Sequence, residues 1–168
     1  MNTPLPENVR APLVAVCGTS TSTPQEDEVA AAVGSLIAQR GAVAVCGGLG
    51  GVMTSAARGA TQAGGVVIGL LPGPDADEGN EFLTYSIPTG LGEMRNGLIA
   101  RACLGMVAIG GGYGTLSEIG FMLRLGRPVA SIASWGVHQP GASEPDPEIH
   151  WATDPAEAVS WLWQRMLM

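Results

Sequence analysis

Two residues of opposite charge bracket a glycine-rich stretch and offer the clearest chemistry in this sequence. Glu118 follows Gly110-Gly-Gly-Tyr-Gly-Thr115, and Arg95 precedes that stretch in Glu93-Met-Arg-Asn96. A carboxylate beside a glycine loop can serve as general acid or base, and a guanidinium can hold an anion. The local pattern also allows a second reading. Thr115-Leu-Ser-Glu118 has the T-x-x-E form of a capping box, and on local sequence alone the cap is favoured for Glu118. Arg95, Asn96 and Gly97 equally suit the ordinary start of a helix, and Arg58 could face either the site or solvent.

Three segments could receive an anion: Gly18-Thr19-Ser20 with its continuation to Ser22, Gly47-Gly48-Leu49-Gly50-Gly51 running to Met53, and Gly110 to Thr115. Each follows a short apolar run and leads into a helix. Exposed N–H groups, the helix dipole and absent side chains favour a phosphate there. The dinucleotide fingerprint is not met. Thr-Ser-Thr follows Gly18 where x-Gly-x-x-Gly is needed, and Val29 to Arg40 holds no acid for a ribose diol.

The elements that must position these loops alternate regularly. Leu13 to Cys17, Ala42 to Cys46, Val66 to Leu71, Phe82 to Ile87, Met106 to Ile109 and Val129 to Ala133 read as strands. Helices are expected from Thr23-Pro24, with Glu26 completing a capping box, to Gly41, then over 52–63, 91–103 and 115–125. Residues 1–11 read as a flexible arm and 134–150 as an irregular loop. A C-terminal helix over 154–168 opens at Asp154-Pro155, and its Trp161 and Leu162 suit docking on the body or on a partner subunit. The expectation is one α/β domain over 1–168, a Rossmann-like, doubly wound, mostly parallel sheet with helices on both faces.

Composition narrows the function. With 46% hydrophobic and 14% charged residues, the chain is neither disordered nor a coiled coil. A net charge of −7 disfavours binding to nucleic acid or anionic membranes. All eight bases are Arg, which removes Schiff-base and P-loop lysine chemistry. Cys17, Cys46 and Cys103 read as isolated, reduced, buried thiols, and neither they nor His138 and His150 have metal-ligand spacing. No signal-peptide core is visible within Met1 to Arg10, and no apolar run nears the ~20 residues of a membrane span. A cytoplasmic protein without a metal site is expected.

Arg95-Asn96 with Val107-Ala-Ile-Gly-Gly-Gly-Tyr-Gly-Thr-Leu-Ser-Glu118 resembles the LOG (Lonely Guy) family, historically misnamed lysine decarboxylases. That family carries P-G-G-x-G-T-x-x-E, and positions 95 and 118 lie 23 apart, as there. Gly47 to Met53 is similar to its G-G-G-x-x-G-x-M loop, with one glycine displaced. The likeness runs from about Val14 to Ile132. It implies a Rossmann-like homodimer in which Gly111, Gly112, Gly114 and Thr115 hold a 5′-phosphate. Glu118 and Arg95 would then act at the N-glycosidic bond of a nucleoside 5′-monophosphate, with no required cofactor. Gly110 in place of the motif's proline, and Asn96 in place of the lysine after the arginine, are closer to the molybdenum-cofactor carrier-like branch. That branch implies a protein that binds a phosphorylated pterin without turning it over. Three readings therefore stand, a carrier, a phosphoribohydrolase and, disfavoured by the three intact glycine loops, a structural or interaction protein with a vestigial site; both departures point to the carrier.

Overall fold

The computed structural model describes residues 10–167. Seven parallel strands form one sheet in the order β4-β3-β2-β1-β5-β6-β7. The strands are β1 (Leu13–Gly18), β2 (Val43–Cys46), β3 (Val67–Leu71), β4 (Tyr85–Pro88), β5 (Gly105–Ile109), β6 (Val129–Ile132) and β7 (Ile149–Trp151). The helices are α1 (Pro24–Gln39), α2 (Val52–Gln62), α3 (Asn96–Ala102), α4 (Tyr113–Arg124) and α5 (Pro155–Met166). The chain winds outward from β1 to β4, returns to β5 beside β1, and winds out again. The order reverses between β1 and β5, where a doubly wound sheet opens a crevice at its carboxyl edge. The three glycine segments leave the three adjacent central strands β2, β1 and β5.

The alternation of side chains along β1 sorts the core into two layers. Val14 and Val16 pack with Val33 and Ile37 of α1, Val52 and Ala56 of α2, and Leu162 of α5. Ala15 and Cys17 face the opposite side, with Ile99 of α3 and Ile119 and Met122 of α4. Full burial of each large aliphatic side chain contributes roughly 1.5–3 kcal/mol. Leu162 is 1% exposed and α5 packs across α1, β5 and β6, so its apolar stripe docks on the body of the chain itself.

α1 starts as its sequence requires. Thr23 is the N-cap, Pro24 opens the first turn, and Thr23 and Glu26 satisfy each other's backbone N–H. Four expectations need correction. The helix expected over 91–103 is split into a 3-10 turn, Gly92–Arg95, and α3, because the Gly92 N–H bonds to the Pro72 carbonyl and ties that turn to the loop after β3. The fourth strand begins only at Tyr85, since Asn80 accepts from the Phe82 N–H and curls residues 80–83 into a turn. The irregular loop ends in a strand, as Ile149–Trp151 pairs with the edge of β6. α4 begins at Tyr113, before Thr115, because the Leu116 N–H already bonds to the Gly112 carbonyl. Of the flexible arm expected over 1–11, residues 1–9 lie outside the described residues.

Candidate functional site

The carboxyl ends of β1, β2 and β5 and the Arg95 turn enclose a cavity of about 380 Å³. Of the residues singled out from sequence, Gly18, Thr19, Ser20, Gly47, Met53, Arg95, Asn96, Gly112, Gly114, Thr115 and Glu118 line it. Gly48, Gly50, Gly51 and Gly111 do not; they shape the turns behind it. Gly111 shows why: it sits at φ 97°, and a Cβ there would strike the Thr115 side chain. Arg58 is absent from the lining. Its charge instead helps lower the Asp27 carboxyl, which chiefly the Ser22 and Ser55 hydroxyls hold below its ordinary value.

The favoured capping role of Glu118 is overturned. Gly112 is the N-cap of α4, no side chain caps that end, and Glu118 lies a full turn further in. There it is 7% exposed and faces the cavity. Burial pushes its carboxyl up to about 7, while a hydrogen bond from Cys17 and the charge of Arg95 pull the other way. A group titrating near 7 can both give and take a proton at neutral pH.

Sequence reasoning missed Cys17, Leu49, Pro72 and Glu93 as lining residues. Cys17 had read as an isolated thiol, yet it sits on the cavity floor hydrogen-bonded to Glu118. The signal was available in principle: Cys17 ends an apolar strand directly before Gly18, at the edge where ligands bind. Burial, with Glu118 next, pushes its thiol well above the ordinary cysteine range, so it stays protonated and acts as a donor. Cys46 and Cys103 are also free and buried.

Arg95 is 8% exposed at the junction of the 3-10 turn and α3. It donates through Nη1 to the Leu70 carbonyl, and its guanidinium lies over Gly47, where a Cβ would collide with it and with the Met53 sulfur. Its Nε is buried without a partner. A buried, unpaired guanidinium N–H is costly unless something accepts from it. Asn96 acts differently. Its Nδ2 donates to Ser117 Oγ at 3.0 Å, and Ser117 donates to the Gly114 carbonyl at 2.7 Å, pinning α3 to the start of α4.

The helix starts differ in kind. α1 and α5 are capped by Thr23 and Asp154. α2 and α4 begin at Gly51 and Gly112 with no side-chain cap. The first turn of α4 borders the cavity and leaves backbone N–H groups to be satisfied from outside the helix. The arrangement can therefore hold an anion at α4, place a guanidinium beside it, and exchange a proton through Glu118. Among the described residues no group of three or more His, Cys, Asp or Glu could hold a metal ion.

The family model of the SLOG cluster4 family matches residues 11–159. An uncharacterised protein of Archaeoglobus fulgidus is 40% identical over 119 residues, 71% of this chain and 78% of that protein. The molybdenum cofactor carrier protein of Chlamydomonas reinhardtii superposes with a TM-score of 0.84 at 32% identity, over 95% of this chain and 100% of that one. The molybdenum cofactor binding protein of the phototrophic bacterium Rippkaea orientalis superposes with a TM-score of 0.83 at 28% identity, over 94% and 98%.

Proposed function

This chain belongs to the SLOG cluster4 family, and from that premise we propose that it binds a phosphorylated, nucleotide-like ligand and serves as a carrier of the molybdenum cofactor. The observation that carries the proposal is the buried Arg95, whose Nε lacks a partner, in one cavity with the uncapped start of α4. The open helix start is a deficit that an anion would make good, and the Arg95 guanidinium supplies positive charge beside it. The N–H groups of the first turn of α4, beside Gly112, Gly114 and Thr115, would take the phosphate, and Arg95 would reinforce it. Glu118, with the Cys17 thiol behind it, would accept from the N–H groups of a pterin when ionised and donate to its ring nitrogens or carbonyl when protonated. The likeness to two molybdenum cofactor proteins over nearly the whole chain supports this cargo.

A second reading has its own observation. A buried carboxyl at about 7 is also what hydrolysis of an N-glycosidic bond in a nucleoside 5′-monophosphate would use. One experiment tests both. The protein is offered molybdenum cofactor released from a molybdoenzyme, and separately a panel of nucleoside 5′-monophosphates, with wild type and Glu118→Gln side by side. Cofactor that co-elutes with the protein, with no base released from any nucleotide, supports the carrier. Base release by wild type that the variant loses overturns it in favour of the phosphoribohydrolase. Arg95→Ala is expected to weaken binding roughly tenfold or more in either case, since it removes a charge-assisted contact. Equal affinity would take Arg95 out of the site.

We further place a second copy of the chain against the α3–α4 side, where Met94, Tyr113 and Phe121 are exposed, rather than against the docked α5. Sedimentation of wild type and Met94→Glu checks this: a dimer that the charge splits is expected. The free thiols support a reducing, cytoplasmic setting. Among the described residues no helix is long and apolar enough to cross a membrane.

A further inference from the structure

After β6 the chain turns back over the glycine loop that precedes α4. Ala133, the only described non-glycine residue at positive φ, makes that reversal at 47°. The next two residues then take hold of the loop. Ser134 Oγ donates to the Gly110 carbonyl. Trp135 Nε1 shares its proton between the carbonyls of Gly111 at 3.2 Å and Gly112 at 3.1 Å. The Trp135 ring also meets Tyr113, with centroids 5.8 Å apart. Three consecutive carbonyls are thus held from outside the cavity, and neither Ser134 nor Trp135 lines it.

A trans peptide unit points its N–H opposite to its carbonyl. Fixing the carbonyls of Gly110, Gly111 and Gly112 therefore fixes the N–H groups of Gly111, Gly112 and Tyr113 in the reverse direction. A run of three glycines would otherwise sample more backbone conformations than any other tripeptide. We propose that Trp135, with Ser134 beside it, is the positioning residue of the anion seat. It touches no ligand but aims the loop's N–H groups before the ligand arrives, which removes an ordering cost from binding. The inference rests on the reading of α4 as that seat.

The test uses inorganic phosphate as probe and amide NMR of the full chain as readout. Trp135→Phe keeps an aromatic ring and removes the N–H donor together with part of the indole's packing on the core; the indole signal it loses identifies Trp135 among the four tryptophans. In wild type the amides of Gly112, Gly114 and Thr115, which border the cavity, are expected to shift with phosphate, and the Trp135 indole N–H to shift at the same midpoint although phosphate does not reach it. In Trp135→Phe the dissociation constant is expected to rise roughly three- to tenfold, the scale of one lost hydrogen bond, with the remaining spectrum intact. Ser134→Ala, a smaller change, is expected to move it in the same direction and serves if the first variant does not fold. Loop amides that respond with the same constant in wild type and variant, and an unmoved indole, overturn the role of Trp135 and leave the seat standing. Loop amides that never respond in wild type overturn the seat and this inference with it.

Discussion

Thr23-Pro-Gln-Glu26 and Thr115-Leu-Ser-Glu118 share one local pattern, yet only the first caps a helix. At α1 the Thr23 hydroxyl accepts from the Glu26 N–H, and the Glu26 carboxylate accepts from the Thr23 N–H. That helix start has made its own partners, with Thr23 exposed and the Glu26 carboxylate lying against Gly110. At α4 the glycine loop lets the helix begin earlier, so Thr115 and Glu118 fall inside it and both are buried. The first turn then has no side-chain cap, and the glutamate faces a cavity. The difference teaches that a helix start becomes a candidate site by being left unfinished. The same residues that could have closed it are turned instead toward what is to be bound.

The largest effect that would sharpen this contrast is a pH dependence. The Glu118 carboxyl is raised from 4.5 to about 7 in the fold. The fold thus favours its protonated form: that advantage is complete below about 4.5 and is lost as pH rises through about 7. Stability of the wild type should fall across that window by at most about 3 kcal/mol. Glu118→Gln should flatten the fall, as read from urea unfolding at a series of pH values. Parallel curves for the two proteins would mean that Glu118 is solvated like an ordinary carboxylate.

Next in size is a substitution that closes the open helix. Gly112 has extended backbone, and a Cβ there meets nothing within 4 Å, so Gly112→Asp can act as an N-cap without strain. It should raise stability by about 0.3–1 kcal/mol and weaken phosphate binding roughly 100-fold, because a fixed carboxylate would occupy the seat. Calorimetric titration beside thermal unfolding reads both, and unchanged affinity would break the comparison. At the closed helix the expectation is reversed. Thr23→Ala should cost about 1 kcal/mol of stability and leave phosphate affinity where it was.

The smallest effect concerns Glu157 at α5, whose carboxyl is held below its ordinary 4.5, first by the Thr153 backbone N–H and then by the Thr153 hydroxyl and His150. A lowered carboxyl stabilises the fold above its unfolded value and loses that contribution as pH falls below about 4.5. Glu157→Gln should therefore remove a slight loss on the acid side, opposite in sign to Glu118. A variant that instead altered the neutral range would show that α5 is coupled to the cavity.

Much of the fold could be read along the chain. The strand ends at Leu13, Cys46, Leu71 and Ile109 follow the apolar runs, and the capping box at Thr23 and Glu26 formed as written. The elements misjudged were those completed by a distant partner. Ile149–Trp151 becomes a strand only because β6 offers it an edge, and the Gly92–Arg95 turn departs from α3 because Pro72 accepts its first N–H. The glycine segments, Arg95 and Glu118 were legible as candidates from type and spacing. The place of Cys17 at the ligand edge, directly before Gly18, could also be read, but its partner could not, since nothing local marks a strand-end thiol as the neighbour of a glutamate so far along the chain.

By itself the sequence determined the alternation of strands and helices, the three glycine segments at one edge, and the acid and arginine that flank the last of them. These are encoded by hydrophobic period and by the steric demands of tight turns, which act over a few residues. Only the tertiary structure decided which way Glu118 points, that Cys17 donates to it, that Arg95 is buried with an unmatched Nε, and that Trp135 holds the loop from behind. Those outcomes depend on where a helix begins and which layer of the sheet receives each face. Contacts between residues far apart in the chain set both.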